Sequence, residues 1–325
     1  MATVLVTGGA GYIGSVLTRI LLEKGFKVRV LDKLLFGGES MLGLSDHPNL
    51  DFICGDLLDP KVAAESLEGC DFVAHLAAIV GDPACRKQPE LAKQTNLEGS
   101  VQLYEKAVEK GVKKFIFAST CSNYGKMPDP NEFVSETSEL SPISLYAETK
   151  VEFENYLLNQ SRSSHVKPTC LRFATVYGLS ARMRFDLTVN EFTRDIAKGT
   201  ELEIFGAQFW RPYCHVYDLA SSVLKVIESP GEKTAYEVYN VGDTEENYTK
   251  QMLIDEILKF IPKGKVSYVE KNEDPRDYRV NFDKISSELG FKVRKRIPDG
   301  IAEVARFVSN GVFRDPYSNR FKNVS

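Results

Sequence analysis

Tyr146 and Lys150 stand four residues apart in Tyr146-Ala147-Glu148-Thr149-Lys150, and of the fourteen tyrosines only this one has a lysine at that spacing. In a helix entered at Pro142 and Ser144 the two side chains share a face. A free phenol titrates near about 10, so bringing it near 7 takes roughly 4 kcal/mol. An ammonium at about 4 Å, in surroundings of effective dielectric about 20, supplies that order of energy. The pair therefore points to proton transfer at a hydroxyl or carbonyl. Just upstream, an apolar run ends in Ser119-Thr120-Cys121-Ser122-Asn123-Tyr124-Gly125. Thr120, Cys121 and Ser122 are candidates to hold the reacting oxygen. Cys121 is not expected to be a nucleophile, because no histidine is placed by the sequence to activate it.

A second constellation sits at the start of the chain, where Thr3-Val4-Leu5-Val6-Thr7 runs into Gly8-Gly9-Ala10-Gly11-Tyr12-Ile13-Gly14. Strand, glycine-spaced turn and helix in that order form a dinucleotide-binding start. Gly8 allows the tight turn, Gly11 the approach to a pyrophosphate, and Gly14 close packing of the helix that carries Tyr12 and Ile13. Backbone N–H groups at the helix start then face the phosphates. Asp32 ends the next strand and suits the ribose hydroxyls, which favours NAD over NADP because a 2′-phosphate would meet its charge. Lys33 beside it would soften that preference. Asp56 and Leu57 follow the third strand and His75-Leu76-Ala77-Ala78 the fourth; small residues there let a flat cofactor lie against the backbone.

The elements that must position these groups alternate. Strand-like runs at 27–31, 51–54, 72–77, 114–118 and 168–173 are separated by helical patterns, notably 89–110 and 144–160. This predicts a doubly wound, mostly parallel α/β sheet with right-handed crossovers. The rhythm breaks after Tyr177-Gly178. The expected division is a cofactor domain over 1–175, rejoined by 212–243, and a smaller discontinuous lobe over 176–211 and 244–325, with a polar tail from 314 that reads as partly mobile.

Bulk properties narrow the function classes. A formal net charge of −4 over 325 residues gives no nucleic-acid footprint. No apolar run approaches the roughly 20 residues of a membrane span, and the first strand carries no leader pattern, so a cytoplasmic protein is expected. The six cysteines form no C-x-x-C pair and join no histidine cluster, so reduced thiols and no metal site are expected.

Together the glycine turn, Asp32, His75 to Ala78, Ser119 to Gly125 and Tyr146 to Lys150 resemble the extended short-chain dehydrogenase/reductase family, the nucleotide-sugar epimerases, dehydratases and dehydrogenases. The resemblance spans nearly the whole chain and implies a Rossmann fold binding NAD. It implies that Tyr146 takes the proton from a sugar hydroxyl, usually at C4, while Thr120 holds the same oxygen and Lys150 binds the nicotinamide ribose and lowers the Tyr146 pKa. Arg211, in Arg211-Pro212-Tyr213, looks like the family arginine that holds the substrate diphosphate, and Arg182, Arg184, Arg276 and Arg279 are further candidates. Thr175 stands where many relatives have an Asn that contacts that diphosphate.

Two departures narrow the reaction. The 4,6-dehydratases place Asp and Glu after the catalytic Thr, and this chain has Cys121 and Ser122. Synthases that combine 3,5-epimerisation with reduction carry Cys where Ser122 stands. The run Arg172 to Leu187, with Asp274-Pro275-Arg276-Asp277-Tyr278, is similar to a branch that includes an NAD-dependent GDP-heptose 4-dehydrogenase. The expectation is an NAD-dependent nucleotide-sugar epimerase or dehydrogenase acting at C4. A 4-ketosugar reductase and a non-catalytic NAD-binding regulator are the alternatives. By family analogy, the long helices at 89–110 and 144–160 imply a homodimer.

Overall fold

The computed structural model describes residues 1–127, 129, 132–270 and 276–323. The first part of the chain forms β1 (Thr3–Thr7), α1 (Tyr12–Glu23), β2 (Lys27–Asp32), β3 (Leu50–Cys54), α2 (Pro60–Ser66), β4 (Phe72–His75), α3 (Asp82–Lys87), α4 (Pro89–Lys93), α5 (Gly99–Glu109), β5 (Lys114–Thr120), α6 (Leu145–Leu158) and β6 (Lys167–Phe173). There follow β7 (Thr175–Tyr177), α7 (Thr188–Ala197), β8 (Leu202–Phe205), β9 (Trp210–His215), α8 (Val216–Glu228), α9 (Gly231–Thr234) and β10 (Glu237–Val241). The last elements are β11 (Asn247–Thr249), α10 (Lys250–Phe260), β12 (Val266–Val269), α11 (Asp283–Leu289) and α12 (Ile297–Ser309).

Seven strands form one parallel sheet in the order β10-β6-β5-β4-β1-β2-β3. Residue alternation along each strand divides the core between its two faces: Val4 and Val6 of β1 pack on one side and Leu5 on the other. Each such fully buried side chain contributes about 1.5–3 kcal/mol. Strand order reverses between β1 and β4, so the connections leaving their carboxyl ends diverge and open a crevice there.

The return to the sheet is narrower than the sequence implies. Residues 210–215 form β9, which pairs with β7 and β11 in a small separate sheet. The chain rejoins the main body through α8, packed on α1, and through β10, paired with β6. Strands β8 and β12 pair in a third sheet; they are too short to show a decisive period in sequence.

The helical run at 89–110 is not one regular α-helix. A π-helical stretch, Gln94–Glu98, separates α4 from α5 and carries Asn96, which is almost fully buried. Asn96 Oδ1 accepts from Ile79 N at 2.8 Å, and Nδ2 donates to Ile79 O at 3.0 Å and to Thr149 Oγ1 at 3.4 Å. One side chain thus ties the loop after β4 to the helix of Tyr146.

Within the described residues, the polar tail is anchored at Phe321. Phe321 packs edge-on against Phe185 and Phe313, with ring centroids 5.5 Å away in each case, and Phe185 N donates to its carbonyl at 2.9 Å. Hydrophobic anchoring by this aromatic trio overrides the polar composition. Among the described residues, no helix is long and apolar enough to cross a membrane.

His75, at the end of β4, is held between Thr7 Oγ1 (2.7 Å from Nδ1) and Ser100 Oγ (2.8 Å from Nε2), and its ring packs among Phe115, Phe117 and Phe153. Burial, helped by the Lys150 ammonium, pushes its pKa from 6.5 down to about 3. Between those values the unfolded chain binds a proton that the native state refuses. Stability from this site therefore falls as the pH drops through that window, by up to about 1.4 kcal/mol per pH unit. Urea midpoints measured from pH 6.5 to 4.5 should decline less in H75Q than in the parent protein; equal declines would contradict this.

Candidate active site

The crevice at the carboxyl edge is lined by the glycine turn, Asp32, Asp56, the loop after β4, Thr120, Ser122, Tyr146, Lys150, Thr175 and residues from the later elements. Its floor is backbone. Gly8 has a left-handed φ of +71°, and a Cβ on Gly14 would lie 2.0 Å from Gly8 O, so α1 packs directly onto the turn. That bare cradle at a helix N-terminus fits a dinucleotide pyrophosphate. Tyr12 and Ile13 line the same wall, and the Tyr12 hydroxyl donates to Gly178 O, joining the turn to the segment after β7.

Asp32 Oδ2 accepts from Ala10 N at 2.9 Å and Oδ1 from Leu34 N at 2.8 Å, which aims the carboxylate into the cleft. Burial raises its pKa against those two donors and the Arg182 charge. Lys33 does not pair with it: its Nζ lies 2.6 Å from Asp56 Oδ2, and Asp56 Oδ1 accepts from Leu58 N at 3.0 Å. The cation that could have welcomed a 2′-phosphate is thereby engaged elsewhere. Replacing Asp32 by Asn should weaken NAD about ten- to hundredfold, the value of charged hydrogen bonds, and raise the relative affinity for NADP. Dissociation constants for both nucleotides check this; an unchanged ratio would contradict it. Leu57, Leu76, Ala77 and Ala78 also line the cleft.

On the opposite side Tyr146 enters from the first turn of α6, whose N-cap Ser144 accepts from Ala147 N at 3.3 Å and donates to Asp82 Oδ1 at 2.7 Å. Lys150 Nζ donates to Ala118 O at 2.8 Å and lies 4.5 Å above the Phe117 ring, 5.9 Å from the centroid of Tyr146. Burial pulls the lysine down to about 8. Burial likewise raises the Tyr146 pKa, and the opposing cation is Arg184. Burial thus outweighs the opposing cation in setting the direction of the shift. A downward shift draws on the positive charges of Lys150 and Arg184 and on one brought by the cofactor.

Thr120 and its neighbours part company at the strand end. Thr120 Oγ1 accepts from Ser122 N at 3.1 Å, capping a 3₁₀ turn, Cys121–Tyr124, and both Thr120 and Ser122 line the cleft. Cys121 does not reach it. Its Sγ donates to Arg172 O at 3.2 Å in the core, and burial raises its pKa, so it serves as packing rather than as a substrate contact.

Thr175, Arg182, Arg184, Arg211 and Arg276 all line the cleft. Arg184 forms a bidentate pair with Asp186, 2.9 Å at each contact. Arg276 Nη1 lies 3.0 Å from Asp82 Oδ2, and Arg211 Nη1 donates to Trp210 O at 2.6 Å. Arg279 packs over Phe133 and Trp210 outside the lining. Asp274 and Pro275 lie outside the described residues.

Sequence reasoning missed Asp82, Asn96, Asp186, Phe36, Tyr278, Lys322 and Asn323. Only Asp82 carried a local signal, the Gly81-Asp82-Pro83 helix start. Asp186 stands two residues from Arg184 but has no distinguishing pattern, and the rest reach the site through contacts distant in sequence.

Residues 4–242 match the NAD dependent epimerase/dehydratase family. A UDP-glucose 4-epimerase of Lactobacillus helveticus is 27% identical over 325 residues, covering 93% of this chain and 95% of that protein. The crystal structure of a UDP-glucose 4-epimerase from Thermotoga maritima with UDP-glucose superposes with a TM-score of 0.84 at 29% identity, covering 95% of this chain and 99% of the other. A dTDP-glucose 4,6-dehydratase from Streptomyces venezuelae with NAD bound gives a TM-score of 0.85 at 27% identity, covering 97% and 100%.

Proposed function

The chain belongs to the NAD dependent epimerase/dehydratase family, and from that premise we propose that it is a nucleotide-sugar epimerase or dehydrogenase acting at C4 of the sugar. NAD is the cofactor, and it supplies the hydride acceptor. One observation carries the reading: Tyr146, Lys150 and Thr120 open onto the same cleft as the glycine turn and Asp32. In the oxidation the hydroxyl proton passes to the Tyr146 oxygen while hydrogen leaves carbon with its electron pair. Thr120 holds the oxygen as it becomes a carbonyl. Lys150 and Arg184 supply the positive field a phenolate needs. Arg211, Arg276 and Thr175 are assigned to the substrate's diphosphate side, where guanidinium geometry suits phosphate oxygens.

Positions 121 and 122 support one-carbon redox chemistry over dehydration. Elimination of water needs an acid for the departing hydroxyl. Here one of these side chains is a buried thiol, and the other, a serine hydroxyl, is a far weaker acid than a carboxyl group.

The test is incubation with NAD and a panel of UDP-, GDP-, dTDP- and CDP-sugars, a GDP-heptose among them, with products identified by NMR and the cofactor followed at 340 nm. Conversion to the C4 epimer without net reduction identifies an epimerase and stoichiometric NADH a dehydrogenase, whereas loss of water without net reduction would make it a dehydratase. Conversion only of a ketosugar, with NADH consumed, would replace the reading by a reductase. Bound NAD with no conversion would leave a regulator. The reading also carries a cytoplasmic homodimer through the helical run at 89–110 and α6, which the mass in solution checks.

A further inference from the structure

Arg182 is 6% exposed, yet its Nε finds no acceptor among the described residues. Its Nη2 donates to Lys322 O at 3.1 Å, and its guanidinium lies 4.2 Å above the ring of Phe36, a half-exposed residue of the loop after β2. The same end of the cleft holds a second unsatisfied atom, Asn323 Oδ1. Burial, together with Arg184, pulls the Arg182 pKa down to about 10, against the pull of Asp186, Asp32 and Tyr12. A guanidinium so placed lacks an anion.

The tail holds it there. Asn323 N donates to Asp186 Oδ2 at 2.9 Å, Asp186 pairs with Arg184, and Phe321 is seated against Phe185. Position then decides which anion. Arg182 stacks on Phe36 in the loop that follows Asp32, the residue assigned to the adenosine ribose, and Asp32 and Phe36 line the same cleft.

We propose that Arg182, held by the Lys322 carbonyl of the tail, is a cofactor-binding residue that closes over the adenosine half of NAD and retains it. The sequence had placed Arg182 with the substrate. This assignment rests on NAD binding at the glycine turn and not on the reaction catalysed.

The experiment compares the full chain with R182A, with a chain ending at Phe321, and with the two changes combined. It reads NAD content on purification, dissociation constants for NAD and for UDP and GDP, and the melting midpoint without added nucleotide. R182A should raise the NAD constant about ten- to hundredfold, as loss of a charge-assisted contact does. Truncation should raise it less, and the combination no more than R182A alone, because both changes remove one interaction. UDP and GDP affinities should hold. Weaker UDP or GDP binding with NAD unchanged would return Arg182 to the substrate, and no change in either would make it structural only. If R182A fails to fold, the truncated chain decides by the same constants, since Phe321 keeps its aromatic seat.

Discussion

Y146F should lower kcat about 10²- to 10⁴-fold, the usual worth of a positioned acid/base, while the dissociation constant for NAD stays within about threefold. The reasoning is geometric. Phenylalanine keeps the ring beside Lys150 and removes only the oxygen that exchanges the proton. Ser122 and Thr120 are aliphatic hydroxyls, far weaker acids than a phenol, and the Asp82 carboxylate is engaged by Ser144 and Arg276. Because burial raises the phenol's pKa, the parent enzyme should gain rate with rising pH in the oxidative direction, and that limb should vanish in Y146F. Turnover within tenfold of the parent, with the pH limb intact, would remove Tyr146 from the mechanism.

The second large effect is on stability. Glu154 and Arg172 are both almost fully buried, with Nη2 2.8 Å from Oε2 and Nε 3.1 Å from the same oxygen. Ser119 and Asn123 also donate to this carboxylate, and Arg172 Nη1 donates to Tyr124 Oη at 3.0 Å. E154A leaves a guanidinium buried without its anion and should cost about 3–5 kcal/mol. The apolar pair E154M/R172M, which strands no charge, should recover much of that loss. Urea unfolding of the three proteins at neutral pH measures both quantities, and a cost for E154A below about 1 kcal/mol would contradict the argument. Glu154 also anchors the turn that aims Thr120 and Ser122, so E154A should lower kcat in the protein that remains folded.

What could be read from the chain was whatever is written locally. The glycine turn, Asp32 and the Tyr146–Lys150 spacing are short-range patterns whose geometry follows from strand and helix periods, and the alternation of strand and helix segments indicates the parallel sheet. The side-chain directions at 119–122 were not legible, because Ser119-Thr120-Cys121-Ser122 carries no apolar–polar contrast to mark a face; Cys121 turns into the core while Thr120 and Ser122 reach the cleft. The π-helical stretch at 94–98 was hidden for a similar reason: its composition is that of an α-helix. Contacts between Arg182 and Lys322, or Asp82 and Arg276, join residues 140 and 194 positions apart and leave no local mark.

The central claim is that Tyr146 takes a proton from the sugar's C4 hydroxyl while the hydrogen on that carbon leaves as hydride. The most direct measurement uses the nucleotide sugar converted in the panel, deuterated at C4, in a single turnover with the NAD-loaded protein. The account predicts deuterium on the nicotinamide ring, a slowed 340 nm phase relative to the protiated sugar, and neither signal in Y146F. Conversion of the sugar with no absorbance change at 340 nm and no slowing by the deuterium at C4 would contradict it.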